Sequence, residues 1–265
     1  MGKSYGWYTF ALELHSNRTD RPKKMQQIDI VIIATRRHAL LERMINSFSE
    51  KVFSNFDIGK VWVNIDPIWG DESDQVAIKK LLNQTFPDVT IFEPQKANFS
   101  KAVKTTWMNT SADTVMHLEE DWIALENITP GQVFDNLTVD IPSLSLMHEE
   151  KNWNGKQIYH YPRSKFFGLP FKFEDGSRPH FSTSPSFWLG DFLRDCAKHM
   201  DIKFDPEKQF YDNINLGLQK FVSKKKCKFL IGQPNLVEDI GRLWRKENHI
   251  EKIYVNGVSS WINTK

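Results

Sequence analysis

The sequence lacks the features that identify several common classes of protein. Of its 265 residues only two are cysteines, Cys196 and Cys227, and they do not have the spacing of a metal site or of a disulfide framework. No apolar run approaches the roughly 18 residues expected of a membrane span. The first residues, Met-Gly-Lys-Ser-Tyr-Gly-Trp, lack the apolar core of a signal peptide. We therefore expect a cytoplasmic protein without a membrane span.

Neither sign of charge predominates in the chain. The 35 Lys and Arg residues stand against 33 Asp and Glu residues, which leaves a formal net charge of +2. This balance does not by itself indicate a protein that binds nucleic acid or a membrane surface. Because 40% of the residues are hydrophobic, the chain can supply the core of one large domain, and we expect a single domain over residues 1–265.

Glycine-rich phosphate-binding motifs are also missing. There is no Gly-x-Gly-x-x-Gly after the first apolar run and no Gly-x-x-x-x-Gly-Lys-Ser/Thr anywhere. Dinucleotide and P-loop sites depend on such glycines for close approach of the backbone to the phosphates. The sequence therefore argues against both kinds of site. A bound diphosphate would have to be held by a metal ion and by side chains.

What the sequence does contain is an alternation of strand and helix patterns. Residues 28–34, Ile-Asp-Ile-Val-Ile-Ile-Ala, form a β-branched run typical of a strand covered on both faces. Further strands are predicted at residues 60–65, 89–92 and 114–118, with apolar residues at helical spacing between them. This order predicts an α/β protein whose mostly parallel sheet has helices on both faces.

Three consecutive carboxylates end the fourth predicted strand. Glu119, Glu120 and Asp121 directly follow residues 115–118, Val-Met-His-Leu, of which all but the histidine are apolar. A buried strand that ends in carboxylates is costly unless a positive charge lies at its tip. Mg²⁺ and Mn²⁺ favour carboxylate oxygens and often take a diphosphate as co-ligand. The alternative is an acidic turn that only solvates the strand end.

Polar residues end the first two strands as well. Thr35, Arg36 and Arg37 follow the first strand, and Asp66 follows the second. Ligands of such sheets bind beyond the carboxyl ends of the strands, so these residues and the acidic triplet should meet in one crevice. The two arginines would then help to neutralise a diphosphate, or would simply be solvated at a helix start.

The second half of the chain is less periodic. The patterns predict elements at residues 7–12 (strand), 130–135 (short helix), 142–148 (strand), 186–200 (strand into helix), 206–221 (helix) and 229–232 (strand). Residues 151–185 are irregular and rich in aromatics, as expected of a functional or mobile segment that could contact an acceptor.

Four stretches together resemble the GT-A-fold glycosyltransferases, in particular the broad family-two group. They are residues 28–37, 61–66, 98–107 and 117–122, the last reading His-Leu-Glu-Glu-Asp-Trp. Its Leu-Glu-Glu-Asp-Trp part is similar to the Asp-x-Asp motif of that family, with Glu in place of the first acid. The resemblance implies a GT-A-like, Rossmann-type sheet, with a nucleotide-sugar half at about residues 28–122 and an acceptor half at about 123–265.

The same resemblance implies an activity. It is the transfer of a sugar from a nucleoside diphosphate sugar to an acceptor hydroxyl, dependent on Mn²⁺ or Mg²⁺ and with inversion. The acceptor would be a glycan, a glycoprotein or a modified DNA base. Asp121 aligns with the acid that usually touches the metal, and Glu119 is a further candidate ligand. His249 in the tail is another candidate to complete the metal shell, and the alternative is a surface histidine.

The nucleotide-contacting residues that we expect form a short list: Thr35, Arg36, Arg37, Asp66, Glu119 and Glu120. Asp239, close to Gly241 and Arg242 in the tail, is a weaker candidate for contact with the diphosphate.

A carboxylate general base is needed to remove the acceptor proton in an inverting transfer. Glu207 is the first candidate, because it is predicted to begin a helix just after the acceptor-side segment. Asp191 and Asp212 are the alternatives. An acid in the first turn of a helix is also favoured by the helix dipole alone, so Glu207 could be only a helix cap.

Two other functions remain open from the residues alone. A nucleotidyltransferase shares the covered sheet and the acidic strand end, but would normally have a glycine-rich loop after the first strand. A non-catalytic carbohydrate- or nucleic-acid-binding module would explain the tryptophan-rich loops and the basic turn at residues 224–228, Lys-Lys-Lys-Cys-Lys. That turn also mildly favours a nucleic-acid acceptor.

Overall fold

A computed structural model describes residues 27–149, 156, 158–160, 164–166, 169–171, 179–211, 213–232 and 235–264. The strand predicted at residues 7–12, most of residues 151–178 and the candidate base Asp212 lie outside the described residues.

The strands are β1 (Gln27–Ala34), β2 (Asp57–Ile65), β3 (Val89–Phe92), β4 (Thr114–Glu119), β5 (Trp122–Ala124), β6 (Ser143–Leu146), β7 (Ser164–Phe166), β8 (Leu169–Phe171), β9 (Ser186–Leu189), β10 (Cys227–Leu230), β11 (Val237–Asp239), β12 (Ile250–Val255) and β13 (Val258–Asn263). The helices are α1 (His38–Lys51), α2 (Glu72–Thr85), α3 (Phe99–Asn109), α4 (Pro130–Phe134), α5 (Gly190–His199), α6 (Leu216–Val222) and α7 (Gly241–Glu247), with 3₁₀ turns at Phe53–Asn55 and Lys208–Phe210.

A seven-stranded sheet in the order β10-β6-β9-β4-β1-β2-β3 forms the centre of the described structure. Adjacent strands are parallel except that β9 runs antiparallel to both of its neighbours, β4 and β6. The α/β class with a mostly parallel sheet, predicted from the strand and helix patterns, is confirmed. The four strands predicted in the first half correspond to β1 to β4.

Two hydrophobic cores cover the two faces of the sheet. Successive side chains of a strand point to opposite faces, so Ile30 and Ile32 of β1 pack with α1 and α2, whereas Val31 and Ile33 pack with α3 and α5. Burial on both faces is the reason why the first strand is apolar almost without interruption.

The prediction of one continuous helix at residues 206–221 is wrong. The structure has a 3₁₀ turn at Lys208–Phe210 and a separate helix, α6, that begins at Leu216. Asn213, with φ 57°, interrupts the segment in the left-handed region, which asparagine tolerates better than most residues. Asn215 then caps α6 by accepting a hydrogen bond from the Leu218 N–H at 3.1 Å.

The C-terminal segment returns to the carboxyl edge of the sheet. β11 pairs with β5 just after the acidic triplet, α7 follows, and β12 and β13 form an antiparallel hairpin. The hairpin turn is Asn256-Gly257, with φ values of 50° and 84°, the positive pair that a two-residue type I′ turn requires. Among the described residues, no helix combines the length and the apolar character needed to cross a membrane.

Candidate functional site

A cavity of about 540 Å³ lies beyond the carboxyl ends of β1, β2 and β4. It collects most of the residues that the sequence placed at those ends, namely Thr35, Arg37, Asp66, Glu119, Glu120 and Asp121. Glu207 also lines it, together with tail residues that include Asp239, Arg242, Arg245 and Lys252. The predicted convergence on one crevice is therefore seen for these residues, but not for Arg36.

Arg37 holds two members of the acidic triplet in place. Its Nε donates to Glu120 Oε1 at 2.7 Å and its Nη2 donates to Asp121 Oδ2 at 3.1 Å. The Thr35 N–H donates to Glu120 Oε2 at 2.7 Å, and its hydroxyl donates to Oε1. Burial raises the pKa of Glu120, although the charge of Arg37 and the bonds from Thr35 oppose it. Burial alone would lower the pKa of Arg37, but the two carboxylates outweigh it and raise that pKa.

Arg36 lies outside the cavity lining, unlike its neighbour. Its Nε donates to Gln75 Oε1 at 2.7 Å, and its guanidinium pairs with Glu72, a side chain that is 80% exposed. The two adjacent arginines therefore point in different directions, Arg37 into the crevice and Arg36 toward two residues of α2.

Aromatic rings enclose the Arg37 guanidinium. The rings of Trp69 and Trp244 have centroids 4.7 and 4.8 Å from its Cζ, within cation–π range. Trp261, from the hairpin, packs edge-on against Trp69 at 4.9 Å. Trp69 has φ 64°, a strained conformation for a bulky residue, and such outliers cluster at functional sites.

Asp121 repels two other carboxylates of the site, Glu119 and Asp239. The pKa of Glu119 is raised well above its usual value by burial and by the nearby charge of Asp121. The pKa of Asp239 is raised by the same two effects. Seven carboxylates line the cavity against five Lys and Arg side chains, so its wall has a formal excess of two negative charges.

This charge excess, with Glu119 and Asp121 both on the wall, fits a divalent cation held by two carboxylates. Within the described part of the chain, no group of three or more His, Cys, Asp and Glu side chains is arranged to hold a metal. Mg²⁺ sites commonly use only one or two carboxylates and leave other positions to water and substrate phosphate. His249, exposed in the turn after α7, does not line the cavity.

Asp66 is buried and already hydrogen-bonded. Its Oδ1 accepts from Asn64 Nδ2 at 2.9 Å and its Oδ2 accepts from the Asn98 N–H at 3.1 Å. Burial raises its pKa, and these two bonds oppose the rise. Asp66 and Asn98 also line an adjoining cavity of about 210 Å³, so Asp66 lies on the wall shared by the two spaces.

Glu207 lies in a cluster of donors and is 29% exposed. Tyr211 donates its hydroxyl to Glu207 Oε1 at 2.7 Å, and His180 Nε2 and Lys208 Nζ lie 3.8 and 3.7 Å from the same oxygen. Burial alone would raise the pKa of Glu207, but these three neighbours outweigh it and hold that pKa far below its usual value. Glu207 precedes the 3₁₀ turn without capping it through its side chain.

Asp191, an alternative base, is at the opposite edge of the sheet. Because β9 is antiparallel to β4, its last residue Leu189 pairs with Thr114, the first residue of β4. Asp191 follows there with its side chain 97% exposed and paired with Arg194 at 2.7 Å. The structure therefore does not bring Asp191 to the cavity.

The basic turn at residues 224–228 also lies away from the cavity. Residues 224–226 precede β10, and Cys227 and Lys228 are its first two residues. Because β10 is parallel to β6, this segment lies at the amino ends of the parallel strands. Lys225 lies 3.8 Å from Asp140, and Lys226 lies 4.7 Å from the Tyr159 ring centroid.

The sequence analysis named Asp239 in the tail, which lines the cavity, but it missed the hairpin that follows. Lys252, Ser259 and Trp261 of the hairpin line the cavity, and the Asn256-Gly257 pair was the signal that predicts such a hairpin. Gly241 was a second signal, because a Cβ there would lie 2.1 Å from Asp121 Oδ2, so only glycine lets α7 approach so closely.

No family model matches this chain, and no curated protein matches it. Among solved structures it is similar to the mannosyltransferase PcManGT from Pyrobaculum calidifontis in complex with GDP-Man and Mn²⁺, with 11% identity and a TM-score of 0.46 over 66% of this chain and 47% of that one. It is also similar to S. aureus TarS residues 1–349 (8% identity, TM-score 0.46, 77% of this chain and 58% of that one). It is similar as well to a longer S. aureus TarS structure, with 11% identity and a TM-score of 0.48 over 77% of this chain and 35% of that one.

The chain thus spans less than two thirds of the length of each of these structures: 47% of PcManGT, 58% of the shorter TarS structure and 35% of the longer one. With all TM-scores below 0.5, no conclusion about the reaction or its ligands follows from these similarities.

Proposed function

We propose that this protein transfers a sugar from a nucleoside diphosphate sugar to an acceptor hydroxyl. One observation carries the proposal. The ends of β1, β2 and β4 bring Arg37, Asp66 and the acidic triplet around one cavity, and Glu207 lines the same space. A site of this composition offers groups for a charged leaving group and a separate carboxylate for an incoming hydroxyl.

The donor diphosphate would lie on the tail side of the cavity. Arg242, Arg245 and Lys252 line that side, and Arg245 lies 3.7 Å from Asp121 and 3.5 Å from Asp239. These cations can oppose the negative charge that builds up on the departing diphosphate. The nucleoside would then extend past Asp66 toward the adjoining smaller cavity.

A divalent cation would be held by Glu119 and Asp121. When bound it supplies Lewis-acid stabilisation of the leaving diphosphate. Burial and the repulsion from Asp121 raise the pKa of Glu119, and a bound cation would offset that repulsion and favour the ionised carboxylate.

Glu207 would accept the proton of the acceptor hydroxyl. The acceptor oxygen would form its bond to the sugar carbon as the bond from that carbon to the phosphate oxygen breaks, and the electron pair would leave with the diphosphate. The lowered pKa of Glu207 keeps it ionised and able to accept the proton, although it reduces the driving force of the transfer. One displacement of this kind inverts the sugar carbon.

Calorimetric titration with UDP, GDP, CDP and TDP sugars, with and without Mn²⁺, tests the proposal. We expect at least one nucleotide sugar to bind, and Mn²⁺ to tighten that binding in the wild type but not in Asp121→Asn. Asp191→Asn is the matched control and should behave as the wild type, because Asp191 is exposed at the other edge of the sheet. Equal binding by Asp121→Asn and wild type in Mn²⁺ would remove Asp121 from the metal site, and binding of no nucleotide sugar would refute the donor class.

A further inference from the structure

The hairpin formed by β12 and β13 closes one side of the cavity with little packing of its own. Most residues of both strands are exposed, and a two-stranded hairpin is at best marginally stable alone. Its position over the cavity therefore depends on a few contacts with the body of the protein. They include the Trp261–Trp69 ring contact and the cation–π contacts of Lys252 with Phe99 and of Tyr254 with Lys208. A further group of contacts converges on Asp205.

Asp205 is a buried carboxylate, 3% exposed, and both of its oxygens are used. Oδ2 accepts from Lys252 Nζ at 2.9 Å and from the Ser259 hydroxyl, both in the hairpin. The Asp205 N–H also donates to the Gly257 carbonyl oxygen in the hairpin turn at 2.7 Å. Three of the hairpin's attachments thus end on one residue.

The other oxygen of Asp205 organises the turn that contains Glu207. Oδ1 accepts from the N–H of Glu207 at 3.0 Å and from the N–H of Lys208 at 3.2 Å. This is the capping geometry that fixes the start of a helical turn. One rigid carboxylate group therefore joins the hairpin to the backbone of the candidate base.

We infer that Asp205 is a positioning residue that couples docking of the hairpin over the cavity to the placement of Glu207. If the hairpin leaves, Asp205 loses its cationic partner and both hairpin bonds to Oδ2, so its orientation is no longer fixed at both oxygens and the carboxylate can rotate toward water. Rotation withdraws Oδ1 from the Glu207 turn. Glu207 is then correctly placed only when the cavity is closed, an arrangement that suppresses proton transfer in the open site.

The catalytic consequence rests on the proposed function, in which Glu207 accepts a proton, but the coupling itself does not. Hydrogen exchange followed by mass spectrometry on the full chain, without any nucleotide sugar, measures the coupling directly. Three variants are compared with the wild type. Lys252→Met removes the cation, Lys252→Arg keeps a cation at the same position, and Lys198→Met removes a cation elsewhere. The last is the matched control, since Lys198 pairs with Asp195 at 2.7 Å on the exposed face of α5.

We expect Lys252→Met to accelerate exchange by about tenfold or more in residues 250–263 and also in residues 205–211, since a hydrogen bond to a charged group is lost. Lys252→Arg should restore most of the protection in both segments, and Lys198→Met should change neither. Faster exchange in the hairpin with unchanged exchange at residues 205–211 would overturn the inference, and so would unchanged exchange in both. Because no nucleotide sugar is present, the exchange measurement tests the coupling even if the proposed function is wrong.

Discussion

Replacement of Arg37 should destabilise the protein far more than replacement of Arg36, its neighbour in the sequence. Arg37 is paired with Glu120, whose side chain is 1% exposed, and with Asp121. Its loss leaves a buried carboxylate without a cation, which typically costs about 3–5 kcal/mol. Arg36→Met removes a bond to Gln75 and an ion pair with the exposed Glu72, and about 0–1 kcal/mol is typical of such an ion pair.

The loss of unfolding free energy caused by Arg37→Met, called the deficit below, should also depend on pH. Burial already raises the pKa of Glu120, and Arg37 opposes the rise, so the variant should raise that pKa further above the value of about 4.3 in the unfolded chain. The folded state then retains a proton that the unfolded state releases, so the free energy of unfolding falls as pH rises from about 4.3 through the folded pKa. The deficit should therefore be smaller at low pH than at high pH.

Urea unfolding of both variants at an acidic and an alkaline pH measures these effects. Arg37→Met combined with Glu120→Gln serves as a second control, since the amide needs no cation and should recover part of the loss. Equal stabilities of Arg36→Met and Arg37→Met, or a deficit that does not change with pH, would refute this account of the acidic triplet.

Two further predictions concern the ends of the cavity. Asp66→Ala should weaken calorimetric binding of the free nucleoside diphosphate by about 1–3 kcal/mol, the cost of unpaired buried polar groups; unchanged affinity in a folded variant would place the nucleotide elsewhere. Glu207→Gln should lower the transfer rate by about 10²–10⁴-fold with little change in donor affinity, and full turnover would leave Glu207 a structural residue. Because the pKa of Glu207 is lowered in the fold, its ionised form should stabilise the protein above about pH 4.3, and the stability difference between wild type and Glu207→Gln should shrink as pH falls below that value.

Much of the site could be read from the sequence because its first half is built from local patterns. The β-branched run at residues 28–34 and the three shorter runs specify strands, and polar residues that end parallel strands must meet at one edge of the sheet. Thr35, Arg37, Asp66 and the acidic triplet were found in this way. Which of two adjacent arginines turns inward was not readable, since both orientations satisfy the same local pattern.

Tertiary structure alone decided the other half of the site. Asp191 follows a strand whose direction is reversed, and no local pattern at residues 186–200 reports the direction in which a strand joins the sheet. The tail returns across the carboxyl edge of the sheet, and only this return brings Lys252 to Asp205 and Trp244 to Arg37. Such contacts join residues distant in the chain, and their energy comes from pairing charges and rings away from water, so they exist only after the sheet has formed.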